Sequence, residues 1–388
     1  MKKYLIIRFG ELFLKKKNRS LFINRLVDNL KNSFQKNNLK LVKIERYFDQ
    51  LFIDAENLDI EESNCIESIL KNTFGISSYY TGYLSNKGII KEIEFFFENM
   101  DKFLEIDFTK FRLTFKRRDK SFPIKSIDLQ KKFGGLVAKK FNLNISLEEY
   151  EKNIEISIYK DFAIFLLKRV KCLEGLPIGS SGKALILFSG GIDSSVAAYN
   201  LMKRGLEVEF LHFYVNEQND KSKIFSLIKK LKKFNNHKGN LYLVNTKNIL
   251  REISHIEIDS YRIIILKRMF LRFAEKLANK NKIELIANGD SLGQVASQTI
   301  ESMHTIYSSI NSKLIVSPLI TRDKQEIINE AKKIDVYDLS ISQYEDCCFV
   351  FQPRNPIIKP SIKQAEYLEE KILWREIFDE TNIELNQI

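Results

Sequence analysis

Ala184-Leu-Ile-Leu-Phe-Ser-Gly-Gly-Ile-Asp-Ser-Ser-Val-Ala-Ala-Tyr199 is the stretch that decides the fold of this 388-residue chain. Its first five residues are all apolar, which is typical of a strand buried on both faces. The next three, Ser189-Gly-Gly191, predict a tight turn in which backbone amides can approach a ligand, because glycine has no Cβ. A helix is expected from Ile192. Its positive end and its first amides would favour an anion in the turn.

The identity of that anion depends on the type of loop. The stretch Pro177-Ile-Gly-Ser-Ser-Gly-Lys183 imitates the phosphate loop of kinases, which needs Gly, four residues, Gly-Lys and Ser or Thr after a strand. Here Pro177 replaces the first glycine, Ala184 replaces the hydroxyl residue, and the stretch precedes the strand. We therefore exclude it. Ser189 to Ser194 instead resembles the pyrophosphatase loop of the N-type ATP pyrophosphatases, and an ordinary tight turn is the alternative.

Length, charge and composition limit the possible classes of protein. At 388 residues, two or three domains are expected, and 44% hydrophobic residues suffice for sizeable cores. The net charge of +12 favours a polyanionic partner such as nucleic acid, with a compositional bias as the alternative explanation.

No stretch approaches the roughly 20 apolar residues of a membrane span. The apolar run after Lys3 meets a charge at Arg8, too early for a signal-peptide core, and four cysteines form no disulfide framework. We expect a cytoplasmic, reduced protein that does not enter the membrane.

Beyond the linker at 176–182, strands and helices alternate regularly, which predicts a doubly wound parallel sheet. Ligands of such sheets bind beyond the carboxyl ends of the strands. The residues at those ends are Ser189 to Asp193, His212-Phe213 and Gly289-Asp290, so we expect them to meet in one crevice. The run from Gly289 to Gln294 is expected to open a further helix.

The first 170 residues predict two smaller α+β units. Residues 1–60 carry a strand, a helix and a hairpin, and residues 61–170 alternate helices with strands. The segment Lys116-Arg-Arg-Asp-Lys-Ser-Phe-Pro-Ile-Lys-Ser126 combines five cations with Phe122. A basic and aromatic segment suits contact with nucleic acid, and a solvated loop is the alternative.

Several stretches in order along nearly the whole chain match one family. They are Ile7-Arg-Phe-Gly-Glu-Leu12 with Lys17-Asn-Arg19, Arg118-Asp-Lys-Ser-Phe-Pro123, Leu176 to Lys183, Ser189 to Ser194, Gly289-Asp-Ser-Leu-Gly-Gln-Val-Ala-Ser-Gln-Thr299 and Tyr344-Glu-Asp-Cys-Cys348. Together they resemble the tRNA 4-thiouridine synthetases, or tRNA sulfurtransferases, the ThiI family. The loop alone would indicate only the superfamily, and the run at 289–299 with the late cysteines is far more specific.

The resemblance implies three domains. They are an N-terminal ferredoxin-like domain at 1–60, a THUMP tRNA-binding domain at 61–170 and a doubly wound ATP pyrophosphatase domain at 171–388. It implies ATP-dependent adenylation of uridine at position eight of tRNA, whose O4 is replaced with sulfur from a persulfide to give 4-thiouridine. Some members also supply sulfur for the thiazole of thiamine. The implied partners are tRNA, a cysteine desulfurase as persulfide donor, and a second copy of the chain in a homodimer.

The resemblance also implies roles for individual residues. The positions that match ATP contacts are Leu187, Phe188, Ser189, Gly190, Gly191, Ser194, His212, Phe213, Lys267, Gly289 and Gln298. The positions expected to be catalytic are Asp193, Cys347 and Cys348, and no dedicated metal ligands are expected. Lys267 stands where members carry arginine and Arg268 follows it, so either side chain could make that contact.

The chemistry explains why these residue types are needed. A ring carbonyl oxygen leaves poorly, and transfer of AMP converts it to a good leaving group. The phosphates then require amide donors, cations and Mg²⁺. Sulfur attacks as a thiolate, so the persulfide carrier is a cysteine, expected at Cys347 with Cys348 as the alternative. Two structural cysteines, the identity of the sulfur donor and an iron–sulfur route all remain open at this point.

Two other functions are compatible with parts of the pattern. An adenylating ligase or amidotransferase subunit would use the same loop on a different acceptor. A non-catalytic tRNA-binding protein would carry a degenerate ATPase domain, but the intact loop at 189–194 argues against that.

Overall fold

Two β-sheets organise the chain, one in each of two units that comprise residues 1–175 and 176–388. The computed structural model describes residues 1–39, 42–47, 50–85, 88–215, 217–342, 351, 355–372 and 383–387. Among the helices in these ranges, none has the length and apolar character that crossing a bilayer requires.

The first unit contains eight strands and five helices among its described residues. The strands are β1 Lys2–Phe9, β2 Ile44–Tyr47, β3 Gln50–Asp54, β4 Ile76–Ser85, β5 Lys110–Arg117, β6 Asn144–Ile145, β7 Lys152–Ile158 and β8 Ala163–Lys171. The helices are α1 Arg19–Lys36, α2 Ile60–Lys71, α3 Ile89–Glu98, α4 Met100–Phe103 and α5 Ser126–Phe141, with a 3₁₀ helix at Glu11–Asn18.

All eight strands form one sheet in the order β2-β3-β1-β4-β8-β7-β5-β6. Helices α3 and α5 bury a phenylalanine-rich core against one face, in which Phe97 and Phe133 stack at 5.1 Å. The strands on either side of residue 60 therefore share a sheet. The domain boundaries expected near residues 60 and 170 stay predictions.

The opposite face of this sheet is concave. Arg8 on β1 donates to Glu155 on β7 at 2.7 Å, although two strands lie between them. Three interstrand steps of about 4.8 Å make about 14 Å on a flat sheet, beyond comfortable reach of the two side chains. The sheet must therefore curl toward this face. The ring contact between Tyr47 on β2 and Phe162 at the β7–β8 turn, 6.2 Å between centroids, agrees with this curvature.

Glu155 is the charged centre of the concave face. Its carboxylate accepts from Arg8 and, at 2.8 Å, from Lys116 on β5, while only 7% of the side chain is exposed. Burial by itself would raise the pKa of Glu155. The hydrogen bond from Lys116 and the charge of Arg8 outweigh burial, and the pKa is lowered below its usual value. The carboxylate thus joins β1, β5 and β7 in its ionised form.

We expect Glu155→Gln to lower the free energy of unfolding at pH 7 by about 2 kcal/mol, because it weakens two charge-assisted hydrogen bonds. The lowered pKa of Glu155 stabilises the folded protein at pH values above the pKa of glutamate in the unfolded chain. This stabilisation is lost as the pH falls through the pKa of Glu155 in the folded protein. The difference between variant and wild type should therefore shrink from pH 7 toward pH 3. Urea unfolding followed by circular dichroism, with hydrogen exchange of β7 peptides, measures it.

The matched control is Glu149→Gln, because the Glu149 side chain is 88% exposed. This change should alter the unfolding free energy by less than about 0.5 kcal/mol at any pH. Equal effects of the two substitutions, or a Glu155→Gln effect independent of pH, would contradict the assignment.

The second unit contains six strands and eight helices among its described residues. The strands are β9 Lys183–Leu187, β10 Glu207–Tyr214, β11 Asn240–Asn245, β12 Leu285–Ala287, β13 Leu314–Val316 and β14 Ile383–Gln387. The helices are α6 Ile192–Lys203, α7 Glu217–Lys232, α8 Lys247–Ser254, α9 Arg262–Lys280, α10 Ile300–Tyr307, α11 Lys324–Lys333, α12 Tyr337–Ile341 and α13 Ile362–Glu370, with 3₁₀ turns at Asp259–Tyr261 and Ala296–Gln298.

The sheet order is β13-β12-β9-β10-β11-β14, and every pair is parallel except β11 with β14. Helices α6, α7, α11 and α12 contact one another on one side of the sheet, and α8, α9, α10 and α13 pack on the other. The expected doubly wound sheet is confirmed. The antiparallel strand at its edge was not predicted, since only Ile383 and Leu385 alternate with polar residues there, within a polar tail.

The expectation that Gly289–Gln294 opens a helix is wrong. This segment is a loop, in which Gly293 has a left-handed φ of 75° and donates to the carbonyl of Gln298 at 2.8 Å. The next α-helix begins only at Ile300, after the Thr299 hydroxyl accepts from the amide of Ser302. The loop keeps the side chains of this run at the edge of the sheet.

Candidate active site

The strand order of the second sheet reverses between β9 and β12, because the chain passes from β9 to β10 on one side and returns to β12 on the other. A crevice opens beyond the carboxyl ends of parallel strands at such a reversal. A cavity of about 590 Å³ occupies this position, a volume within the range of small-molecule sites. Its lining residues are Leu187, Phe188, Ser189, Asp193, Ser194, Phe213, Ile263, Lys267, Phe270, Leu271, Asn288, Gly289, Asp290, Gln294, Val295, Ala296, Ser297, Gln298, Ile306, Phe351 and Pro356.

The turn from β9 into α6 forms one wall of the cavity. Gly190 has a φ of 80°, and a Cβ there would lie 2.5 Å from Ile224, so this position requires glycine. Gly191 is the N-cap of α6 and has no side chain with which to accept from the first helical amides. Those amides and the helix dipole therefore suit an anion supplied from the cavity.

Gly289, which follows β12, brings the second wall against this helix. A Cβ on Gly289 would lie 2.8 Å from the backbone nitrogen of Ser194 and 2.9 Å from the carbonyl carbon of Asp193. Because the obstruction is backbone, no side-chain movement could relieve it. Glycine at this position lets the loop after β12 touch the first turn of α6.

Asp193 in that first turn lies between two donors from distant parts of the chain. Lys324 Nζ lies 2.6 Å from Asp193 Oδ1, and Gln294 Nε2 donates to Oδ2 at 2.9 Å. Lys324 is the first residue of α11, where the positive helix end disfavours a cation. The ion pair with Asp193 offsets that cost and holds an ammonium group beside the turn.

Asp290 organises the floor of the cavity beside Gly289. Its carboxylate accepts from Gln298 Nε2 at 2.9 Å and from the Tyr307 hydroxyl at 3.1 Å, and Lys267 Nζ lies 3.5 Å away. Burial, followed by the negative charge of Asp290, raises the pKa of Tyr307 well above its ordinary value. Tyr307 is therefore protonated at neutral pH and can donate.

The other end of the cavity is apolar. Phe213 from β10 and Phe270 from α9 stack in parallel with centroids 3.9 Å apart. Of the two adjacent cations on α9, Lys267 lines the cavity, whereas Arg268 is fully buried and binds both carboxylate oxygens of Glu369 at 2.9 Å. The sequence could not distinguish these two cations, and the structure places Lys267, not Arg268, at the cavity.

Of the residues that the sequence singled out, nine line this one cavity: Leu187, Phe188, Ser189, Asp193, Ser194, Phe213, Lys267, Gly289 and Gln298. Gly190 and Gly191 shape the turn behind them. His212 is not among these lining residues: its side chain is fully buried, and its Nδ1 lies 2.7 Å from the carbonyl oxygen of Phe188. This hydrogen bond holds the residue that follows β9 in place. The expected contact of His212 with ATP stays a prediction. Cys347 and Cys348 lie outside the described residues.

Sequence reasoning missed the roles of four side chains of the site. Asp290 was expected in the crevice and Gln294 lay inside the quoted run 289–299, but neither received a role. Lys324 carried a signal that was available, a cation in the first turn of a predicted helix. Tyr307 gave none, because only the fold brings it to Asp290.

Comparison with known families supports this architecture. The model described as thiamine biosynthesis protein (ThiI) matches residues 179–374, the ThiI ferredoxin-like domain matches residues 4–80, and the THUMP domain matches residues 92–167. These matches confirm the resemblance that the sequence motifs carried.

Similar proteins extend the agreement along the whole chain. The probable tRNA sulfurtransferase of Mycoplasmopsis pulmonis is 38% identical over 95% of this chain and 94% of its own length. The probable tRNA sulfurtransferase of Mycoplasmopsis synoviae is 37% identical over 100% of this chain and 98% of its own.

A solved structure, described as a 4-thiouridine synthetase–RNA complex with bound ATP, has a TM-score of 0.86 and 28% identity to this chain. The alignment covers 99% of this chain and 100% of that one. Because the family models, the relatives and the fold agree over nearly every residue, the chain belongs to the ThiI family of tRNA sulfurtransferases.

Proposed function

We propose that this protein uses ATP to adenylate the uridine at position eight of tRNA and replaces O4 with persulfide sulfur to give 4-thiouridine. AMP and pyrophosphate are the other products. One observation carries the proposal: an uncapped helix start and the side chain of Asp193, which pairs with the ammonium group of Lys324, adjoin a single cavity of nucleotide size.

The residues present fit ATP. The turn at Ser189–Gly191 offers backbone amides, and Lys324 and Lys267 offer cations, for a polyphosphate. Phe213 and Phe270 offer aromatic surface for a purine. Gln298 is 7% exposed, and its Oε1 is buried without a hydrogen-bond partner among the described residues. Gln298 lines the cavity, and its Nε2 donates to Asp290 at 2.9 Å.

Mg²⁺ fits as a companion of the nucleotide. In the described part of the chain, no three carboxylate, histidine or cysteine groups come together as a metal site. Mg²⁺ usually binds one or two carboxylates together with substrate phosphates and water. Asp193 is the carboxylate next to the turn and would serve, after exchanging its contacts with Lys324 and Gln294.

This chain's residues then divide the work of adenylation. The amides of the turn and Lys324 hold the phosphate groups that leave, and fixed donors of this kind stabilise charge as it develops. His212 keeps the Phe188 carbonyl in place, so the turn begins from a rigid strand end. Gly289 keeps the opposite wall close enough that the reacting groups share one enclosure.

Described residues that precede and follow the cysteine pair in the sequence lie at the site. On one side, Ser340 precedes residue 343 by three positions, and its Oγ lies 3.5 Å from Ser195 Oγ in the first turn of α6. On the other side, Phe351 lines the cavity. In the sequence, Cys348 is three positions before Phe351. This supports Cys347, with Cys348 as the alternative, as the carrier of the persulfide.

The remaining parts of the proposal concern partners. The first unit, with its THUMP match, would hold the tRNA, as the RNA complex of the similar synthetase suggests. A cysteine desulfurase would load the persulfide, and a second copy of the chain would complete a homodimer. The matching model is described as a thiamine biosynthesis protein, which supports sulfur supply for thiamine as a second use of the same persulfide.

The decisive experiment is liquid chromatography of nucleosides from tRNA incubated with the protein, ATP, cysteine and a verified desulfurase. 4-Thiouridine should form only when ATP is present. Exchange of pyrophosphate into ATP with small acids, without thiolation of tRNA, would instead indicate an adenylating ligase.

We expect Lys324→Met to reduce 4-thiouridine formation at least about 100-fold, since a cation that stabilises leaving phosphates is worth several kcal/mol in such sites. Lys333→Met, an exposed lysine at the other end of α11, is the matched control and should retain full activity. Initial rates at saturating tRNA measure both. Comparable losses in the two variants would indicate damage to α11 instead of a role at the site.

Cys347→Ser should abolish 4-thiouridine formation while leaving ATP binding unchanged, because a hydroxyl cannot carry a sulfane sulfur. Cys348→Ser should retain at least single-turnover activity if its thiol only regenerates the carrier. The nucleoside assay on both variants, with Cys172→Ser as the control, distinguishes these roles. Full activity of both serine variants would remove the pair from the mechanism.

A further inference from the structure

The mouth of the cavity has an apolar rim. Val295 and Pro356 line the cavity and are nevertheless exposed to solvent. Further exposed apolar side chains lie near them in the sequence, and the Thr299 hydroxyl joins the two segments by donating to the carbonyl oxygen of Ile358 at 2.7 Å. The apolar rim comprises Leu292, Val295, Ile300 and Ile358, each at least 49% exposed. Scattered apolar residues on a surface need no explanation, but a group of them beside one opening marks a binding surface.

Val295 holds a fixed position within this rim. Its carbonyl oxygen accepts from the amide of Gln298 at 2.8 Å, and the Gln298 carbonyl oxygen accepts from the amide of Gly293 at 2.8 Å. These two hydrogen bonds close the loop on itself. The valine side chain also has few rotamers, because it branches at Cβ. The apolar surface at the mouth is therefore formed in advance, and a ligand that covers it loses little free energy in ordering it.

Val295 adjoins the end of the cavity that the turn at 189–191 forms. The preceding residue, Gln294, donates to Asp193 in the first turn of α6 at 2.9 Å. The stacked rings of Phe213 and Phe270, which offer a surface for the purine, are buried at the other end. A nucleotide that lies in this direction places its phosphates near Val295. The acceptor must approach from the same side, because its O4 has to reach the phosphorus atom next to the nucleoside.

An RNA base can reach that atom only after it leaves its stack. Unstacking costs free energy, and enzymes that act on bases recover it by packing apolar or aromatic side chains against the extruded ring. With O4 directed inward, one face of the pyrimidine ring meets the wall at the mouth. A side chain without hydrogen-bonding groups suits a ring face, whereas the phosphodiester backbone would favour cations.

We propose that the apolar rim receives the acceptor base of the RNA after it leaves its stack, and that Val295 packs against the face of its pyrimidine ring. This rests on the proposed function, in that a uridine enters the cavity beside ATP. Because Val295 belongs to the cavity lining, its partner must reach inside the opening. A single extruded base does so, and the flat surface of a second protein does not.

The test uses tRNA in which 2-aminopurine replaces the nucleotide that follows the acceptor uridine. The fluorescence of this base rises when its neighbour leaves the stack. The tRNA is mixed with saturating full-length protein and an α,β-methylene analogue of ATP, so that no transfer of AMP occurs. Wild type should raise the fluorescence. Val295→Ser should at least halve the rise, because loss of the apolar contact disfavours the extruded base about 10-fold.

Two further variants separate this contact from damage to the fold. Val295→Ile keeps the apolar contact and should restore the rise. Leu314→Ser is the matched control, because Leu314 is 63% exposed and begins β13 at the amino end of the strand. It should leave the rise unchanged. In the nucleoside assay at subsaturating tRNA, only Val295→Ser should slow the formation of 4-thiouridine, by about 10-fold, while binding of the ATP analogue stays at the wild-type value.

A full rise of fluorescence in Val295→Ser, or no rise in wild type, would overturn the proposal. A parallel loss of affinity for the ATP analogue would overturn it by assigning Val295 to the nucleotide. Slower loading of persulfide by the desulfurase, with an intact rise, would overturn it by assigning the rim to a protein. Wild type that extrudes the base yet forms no 4-thiouridine refutes only the proposed function, whereas normal formation of 4-thiouridine by Val295→Ser refutes this inference alone.

Discussion

The contact between the backbone of Gly289 and the first turn of α6 is the constraint on which the rest of the site depends. It holds the loop after β12 against the turn after β9, so these two segments form the walls of one cavity. A side chain at this point would force the walls apart, and neither neighbour could yield because both are backbone. Asp193, on one wall, and Asp290, on the other, then face the same occupant.

The electrostatic organisation of the cavity follows from that closure. Each wall carries one acidic side chain, and each carboxylate is held by a lysine and a glutamine: Asp193 by Lys324 and Gln294, and Asp290 by Lys267 and Gln298. The two pairs are not equivalent in their surroundings. Lys324 is 45% exposed, whereas Lys267 is 20% exposed. Asp193 and the more exposed Lys324 can therefore exchange partners with an incoming ligand more easily than Asp290 and Lys267 can. Asp290 is also held by a hydrogen bond from the Tyr307 hydroxyl.

Much of this architecture was predictable, because its signals are local. An uninterrupted apolar run, two glycines and a following helix specify β9, the turn and α6 without reference to the rest of the chain. The error at Gly289–Gln294 arose because a glycine can adopt either a helical or a left-handed conformation, and the left-handed φ of Gly293 is visible only in the structure. Side-chain partners such as Lys324, 131 positions from Asp193, depend on sheet order and helix direction, which no local pattern encodes. The separation of Lys267 from Arg268 likewise required knowing which face of α9 meets the sheet edge.

The anchoring of α12 and α13 has a consequence for the stability of the domain. Lys223 donates to the carbonyl oxygens of Ser340 and Ser342, each at 3.0 Å, and Arg268 binds Glu369 on α13. Arg268 and Glu369 are both buried. Separation of α13 from α9 would leave two buried charges without their partner, which costs far more than parting an exposed ion pair. Helix α13 should therefore come away from the domain only when the whole domain unfolds.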